Sequence, residues 1–180
     1  TGTRTHHNIS ATGGSDRVRF FASIGYLDEK GNIDNYGYNR LNLRSNIDAK
    51  LTKSLTFTLG VSGRIEKRDS PRYSANPDDW HNVPQQVIRA LPYVPATYEY
   101  EGKVYNVSTP TASSPVAPLA SINESGYSKS NYSYIQSNFS LKYDAPWLKG
   151  LSFKFQGAYD LTYNFSKILT NPYEVMIMNL

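Results

Sequence analysis

The side chains able to do covalent or metal chemistry in this 180-residue chain are poorly spaced for it. His6 and His7 are adjacent, so on an extended strand they point to opposite faces and cannot chelate one ion together. Asp78, Asp79 and His81 offer oxygen and nitrogen ligands, but their spacing matches no metal motif. The stretch from Asp28 to Asp34 lacks the alternating-Asp-then-Gly order of a calcium loop and reads as the end of a hairpin. With no cysteine there is neither a thiolate metal site nor a disulfide. No nucleophile elbow, zinc-protease motif or phosphate loop occurs, and the N-x-S triplet Asn131-Tyr132-Ser133 is read as chance. An enzyme is not expected, and no cofactor is.

What remains is recognition by contact. Trp80, Tyr93, Tyr98, Tyr100 and Tyr105 fall in one segment, residues 67–130. Their rings give rigid amphipathic area suited to stacking on sugars or gripping a peptide; the plainer role is packing the segment against its neighbours. Eight of the ten prolines lie between Pro71 and Pro118, so the segment is irregular or extended rather than laddered. A short helix is expected to begin near Asn76-Pro77-Asp78-Asp79, with Asn76 as cap, and Pro84 breaks or restarts it before Gln85 to Leu91. Tyr98 to Tyr105 reads as a small hairpin turning at Glu101-Gly102. A second set, Arg40, Asn42, Arg44 and Asn46, recurs at every other residue and therefore shares one face of a strand.

The elements that must position these residues are long alternating strands. Leu41, Leu43, Ile47, Ala49 and Leu51 interleave with Arg40, Asn42, Arg44, Asn46, Asp48 and Lys50. The same alternation predicts strands over about 4–12, 17–27, 39–51, 54–66, 131–144 and 151–165, none interrupted by proline. Strands of soluble proteins average roughly 5–6 residues, whereas crossing a bilayer at a tilt takes about 9–11. The links run short, long, short, long, short, which is the rule of bacterial outer-membrane barrels with short periplasmic turns and long extracellular loops. The fold expected is all-β: a segment of an antiparallel transmembrane β-barrel of about six strands, with residues 67–130 as one long extracellular loop containing a short helix. The alternative is a secreted soluble β-sandwich that binds carbohydrate, in which a second sheet would cover Leu43, Ile47, Phe57, Leu59 and Phe155.

Composition agrees with a barrel. Mean hydropathy is −0.53 and no long apolar run exists, which excludes a transmembrane helix but not strands whose two faces cancel in an average. The 15 tyrosines include Tyr26, Tyr36, Tyr38, Tyr143 and Tyr163 near strand ends, where aromatic girdles belong. The net charge of +4 is scattered, and no basic stripe tracks a phosphate backbone, so nucleic acid is not expected. No signal peptide is visible, and six strands cannot close a barrel that needs about eight, so the chain is expected to be a fragment of a larger protein.

The stretch from His7 to Gly31, through Gly13-Gly14-Ser15-Asp16-Arg17-Val18-Arg19-Phe20-Phe21-Ala22, resembles the early barrel of the SusC/RagA family, TonB-dependent outer-membrane transporters of Bacteroidetes. Tyr38-Asn39-Arg40-Leu41-Asn42-Leu43-Arg44-Ser45-Asn46-Ile47-Asp48 resembles the family's next strand. The likeness is carried by roughly the first third of the chain; the rest agrees in style. It implies a large plugged barrel importing glycans, oligosaccharides or peptides, energised by a TonB complex through N-terminal regions absent from this chain. It also implies a SusD-like surface lipoprotein that lids the barrel, and outer-membrane lipid around it. On that reading Arg40, Asn42, Arg44 and Asn46 line the lumen and hold the plug, or are simply solvated in a wet interior. The aromatic set of the long loop then meets cargo or lid.

Overall fold

Long two-faced strands pair wherever short turns return the chain, and here they do so in simple sequence order. The computed structural model describes residues 1–72, 83–108 and 116–178, apart from the side chain of residue 84. A six-stranded antiparallel sheet contains β1 (Thr3–Gly14), β2 (Val18–Lys30), β3 (Gly37–Lys50), β4 (Leu55–Pro71), β7 (Gly126–Asp144) and β8 (Ser152–Thr170), ordered β1-β2-β3-β4-β7-β8. The sheet is open, with β1 and β8 at its edges, and is not a closed barrel. Between β4 and β7 come α1 (Val83–Arg89), β5 (Thr97–Tyr100), β6 (Lys103–Ser108) and α2 (Pro118–Asn123); β9 (Met176–Ile177) follows β8.

Register aligns the alternation of neighbouring strands into continuous rows. Ile24 lies opposite both Ile9 and Leu43, Leu43 opposite Gly63, Gly63 opposite Ile135, and Ile135 opposite Leu161. Four residues nearer the short links, Phe20, Ile47, Leu59 and Phe139 form the next row but one. All these residues share one face, and within the band the charged residues share the other, because a one-residue slip would exchange the faces of an entire strand. The apolar face is uncovered: Ile24, Leu43 and Ile135 on interior strands each remain 46% exposed. Phe139 and Phe155 meet across it at 5.9 Å between ring centroids.

The strands outrun the apolar band at one end. β4, β7 and β8 continue as a polar ladder through Lys67–Asn131, Asp69–Lys129 and Pro71–Tyr127, so the long connection spans residues 72–125 rather than 67–130. Backbone pairing needs no apolar side chain, and hydrophobic alternation therefore underestimates strand length beyond the band. Pro71 is the last residue of β4, where a missing N–H costs the ladder least.

Among the described residues most of the well-buried core lies in this connection; in the sheet the buried apolar residue is Leu27, 3% exposed on β2. Val83, Val116 and Ala120 are at most 1% exposed, with Val107, Ala117, Gln86, Ser108, Ser121 and Ser125 also buried. Ser121 Oγ donates to Gln86 Oε1 at 2.9 Å and lies 3.0 Å from the Tyr173 hydroxyl, tying α1, α2 and the segment after β8 together. β9 pairs in parallel with β6 through Val107–Met176 and Ser108–Ile177, a contact no local pattern predicts. Asn35 Nδ2, in the link between β2 and β3, donates to the Ile122 carbonyl at 2.9 Å. The expected helix at Asn76-Pro77-Asp78-Asp79 falls outside the described residues. The later helix starts at Val83, with Pro84 inside its first turn, where a proline lacks nothing the helix needs. The connection holds a second helix, α2, that the alternation gave no reason to expect.

Gly126 joins this subdomain to β7. Its φ of +98° and the Leu169 carbonyl against its Cα leave no room for a side chain. Gly126→Ala is expected to cost about 2–3 kcal/mol from backbone strain and crowding. The expected readout is faster proteolysis within residues 72–125, with strand content by circular dichroism unchanged. Gly102→Ala, at a φ of +77° with nothing within 4 Å, is the milder control.

Candidate functional site

Pairing of β3 with β4 decides what the predicted polar set touches. Arg40 lies opposite Glu66, Asn42 opposite Arg64, Arg44 opposite Ser62 and Asn46 opposite Gly60. Gly60 leaves space that the side chains of Asn46 and Asn138 occupy from either side. Glu66 is buried and takes an ion pair from Arg64 Nε at 3.0 Å and from Arg68 at 3.3 Å. The Arg64 guanidinium lies over the Tyr134 ring at 4.6 Å, and Arg68 sits between Tyr38 and Tyr132 at 5.5 and 5.6 Å. Such stacking holds a guanidinium by its face while its edge stays able to donate. Arg40 Nε is shut off from solvent with no hydrogen-bond partner among the described residues.

Two shallow clefts mark this face. One of 340 Å³ lies between Arg44 and Arg64, with Asn42, Ser62, Tyr134 and Gln136 around it. Its neighbour of 410 Å³ shares Arg44, Ser62 and Gln136 and extends past Asn46 and Asn138 to Asp160. The linings are amides, hydroxyls and charges, which can orient a polar ligand or a polypeptide loop by hydrogen bonds.

The second set divides. Tyr98 is directly opposite Tyr105 and Tyr100 opposite Lys103, so the three rings and the ammonium share one face of the β5–β6 hairpin. Glu101 (φ +53°) and Gly102 (φ +77°) form its two-residue turn, both left-handed as the twist of a tight hairpin requires. Tyr98 and Tyr100 are exposed, and Lys103 Nζ lies 4.7 Å over the half-buried Tyr105 ring. Tyr93 is 66% exposed in the stretch before the hairpin, and Trp80 lies outside the described residues.

Arg64, Glu66, Arg68, Tyr132 and Tyr134 belong to the polar site and were not singled out by residue type, and Tyr38, expected in an aromatic girdle, lies on this polar face against Arg68. The signal was present in Arg64-Ile65-Glu66-Lys67-Arg68, where three charges share a face, and counting back through the Thr52-Lys53-Ser54 turn would have set them against Arg40 and Asn42.

The chain is similar to a TonB-dependent receptor. Over 68 residues, 38% of its length, it is 32% identical to TonB-dependent receptor P39 of Formosa agariphila, and the match spans 7% of that receptor. No family model matches the chain. No helix among the described residues is long and apolar enough to cross a membrane.

Proposed function

We propose that this chain is part of the barrel wall of a larger SusC/RagA-type active transporter in a Gram-negative outer membrane, importing glycans, oligosaccharides or peptides. The observation that carries the reading is the uncovered apolar face. From Leu55 to Ile65 on β4 the band runs ten residue steps, about 34 Å along the strand and about 24 Å in height at a tilt of about 45°, which is the thickness of a barrel's lipid-facing belt. Tyr143 and Trp147, 5.8 Å apart, mark its short-link edge, and Tyr26 and Tyr163 its opposite edge, as interfacial girdles do. A soluble sandwich would bury that face under a second sheet, whereas Ile24, Leu43 and Ile135 remain 46% exposed among the described residues.

In this reading lipid covers Leu43, Ile47, Phe57, Leu59 and Phe155, and Arg40, Asn42, Arg44 and Asn46 face the lumen. The buried connection stands outside the cell, where it meets cargo and a SusD-like lipoprotein lid. Energy is supplied by TonB through regions outside this chain, and no covalent chemistry is involved. Intact mass of the native polypeptide from detergent-extracted outer membranes tests this directly. A much longer chain accompanied by a surface lipoprotein is expected; a soluble polypeptide absent from membranes would overturn it.

Tyr98→Ala with Tyr100→Ala removes two exposed rings without touching the buried core of the connection. The pair is expected to weaken binding of cargo or lid about tenfold, a loss of about 1.4 kcal/mol, read by titration of the purified receptor. Unchanged affinity for both would assign these rings to neither.

A further inference from the structure

The polar face carries more positive charge than it neutralises, and the excess has a location. On β3 and β4 four arginines, Arg40, Arg44, Arg64 and Arg68, share the face with two acids, Glu66 and Asp48, and Asp48 lies four residues along β3 from Arg44, roughly 13 Å away. Glu66 is already committed to Arg64 and Arg68. Arg44 has no ion-pair or hydrogen-bond partner among the described residues, and the next acid along its row, Asp160, stands three strands away, roughly 14 Å across the sheet. Arg64 is held on two sides, by Glu66 at Nε and by Tyr134 under its face, so its terminal amino groups keep a defined direction. Arg44 and Arg64 are diagonal neighbours across the β3–β4 pair, about 7–8 Å apart at Cα. They flank the 340 Å³ cleft, whose other lining groups include the neutral side chains of Asn42, Ser62, Tyr134 and Gln136 and no carboxylate.

We propose that this cleft is an oxyanion-binding site in which Arg44 and Arg64 jointly hold a carboxylate or sulfate group. Two guanidinium forks at this separation present convergent donors to one planar or tetrahedral anion, and a positioned Arg64 lowers the ordering cost of binding. Two sources share the chemistry: an acidic side chain from elsewhere in the same polypeptide, or an acidic group on cargo. The proposal rests on the barrel reading for the enclosure of the cleft. Outer-membrane fractionation of the same preparation tests that reading separately.

The test uses the purified full-length receptor and a dicarbonyl reagent that modifies accessible arginines, scored by peptide mass in sulfate and in chloride at equal ionic strength. With sulfate at about four times its dissociation constant, Arg44 modification is expected to slow about fivefold, while exposed Arg4 is unaffected. That result assigns the site to a free anion such as an acidic cargo group. The variant Arg44→Lys, treated with carbodiimide, covers the other source. A zero-length crosslink from the introduced amine to a carboxylate elsewhere in the polypeptide assigns the oxyanion to the receptor itself, and wild-type Arg44 is then protected in chloride already. Equal rates in the two salts without a crosslink overturn the proposal, and so does a crosslink to Asp160.

Discussion

On the proposed barrel-wall reading, Leu59→Arg is expected to abolish membrane assembly of the protein. Leu59 sits near the middle of the apolar band, between Ile47 on β3 and Phe139 on β7. A cation at mid-depth on the lipid face of a barrel costs about 2–4 kcal/mol, and it interrupts a row left uncovered among the described residues. The adjacent Thr58→Arg points to the opposite face, where Asp48 lies directly across the β3–β4 pair and can receive the charge. Heat-modifiable migration of outer-membrane extracts is expected to disappear for the first variant and persist for the second. If both insert normally, the band does not face lipid; if both fail, the two faces are not distinct environments.

Glu66→Ala is expected to be the most damaging change on the polar face. Its carboxylate is buried and bonded to Arg64 and Arg68, with Arg40 directly opposite. Glu66 is buried but its partners Arg64 and Arg68 are about half exposed, so solvent screens the charges left behind and the cost falls to about 1–2 kcal/mol, below that of a fully buried pair. The expected result is a lower unfolding temperature in detergent and protease cleavage near the loop end of β4. Adding Arg64→Met to Glu66→Ala should recover part of the loss, since it removes one of the two cations left without the carboxylate. A double variant no better than the single one would place the damage elsewhere, most simply in the cavity left behind.

The two predictions draw on different kinds of information. Leu59 and its neighbours were legible in the sequence, because side chains on a strand alternate by geometry and the apolar positions of each run could be counted without knowing what each strand pairs with. Tyr98, Tyr105 and the Glu101-Gly102 turn were legible for a related reason: a two-residue turn sets the register of its own hairpin. The site around Glu66 was not. Arg40, Asn42, Arg44 and Asn46 could be placed on one face, but what they touch depends on register across β3, β4, β7 and β8, and residues 64 and 134 are brought together over a connection of more than fifty residues.

The sequence by itself determined the all-β character, the two-faced strands and the alternation of short and long links, since each follows from local stereochemistry and turn propensity. Only the tertiary structure decided that the strands run on as a polar ladder beyond the apolar band, because backbone pairing leaves no hydrophobic signature. It also decided that most of the buried core belongs to residues 83–125 and that β9 closes onto β6, contacts made between segments far apart in the chain. The grouping of Arg64, Glu66 and Tyr134 beside the predicted arginines has the same origin: charge pairing across strands is a property of register, and register is settled by the whole sheet at once.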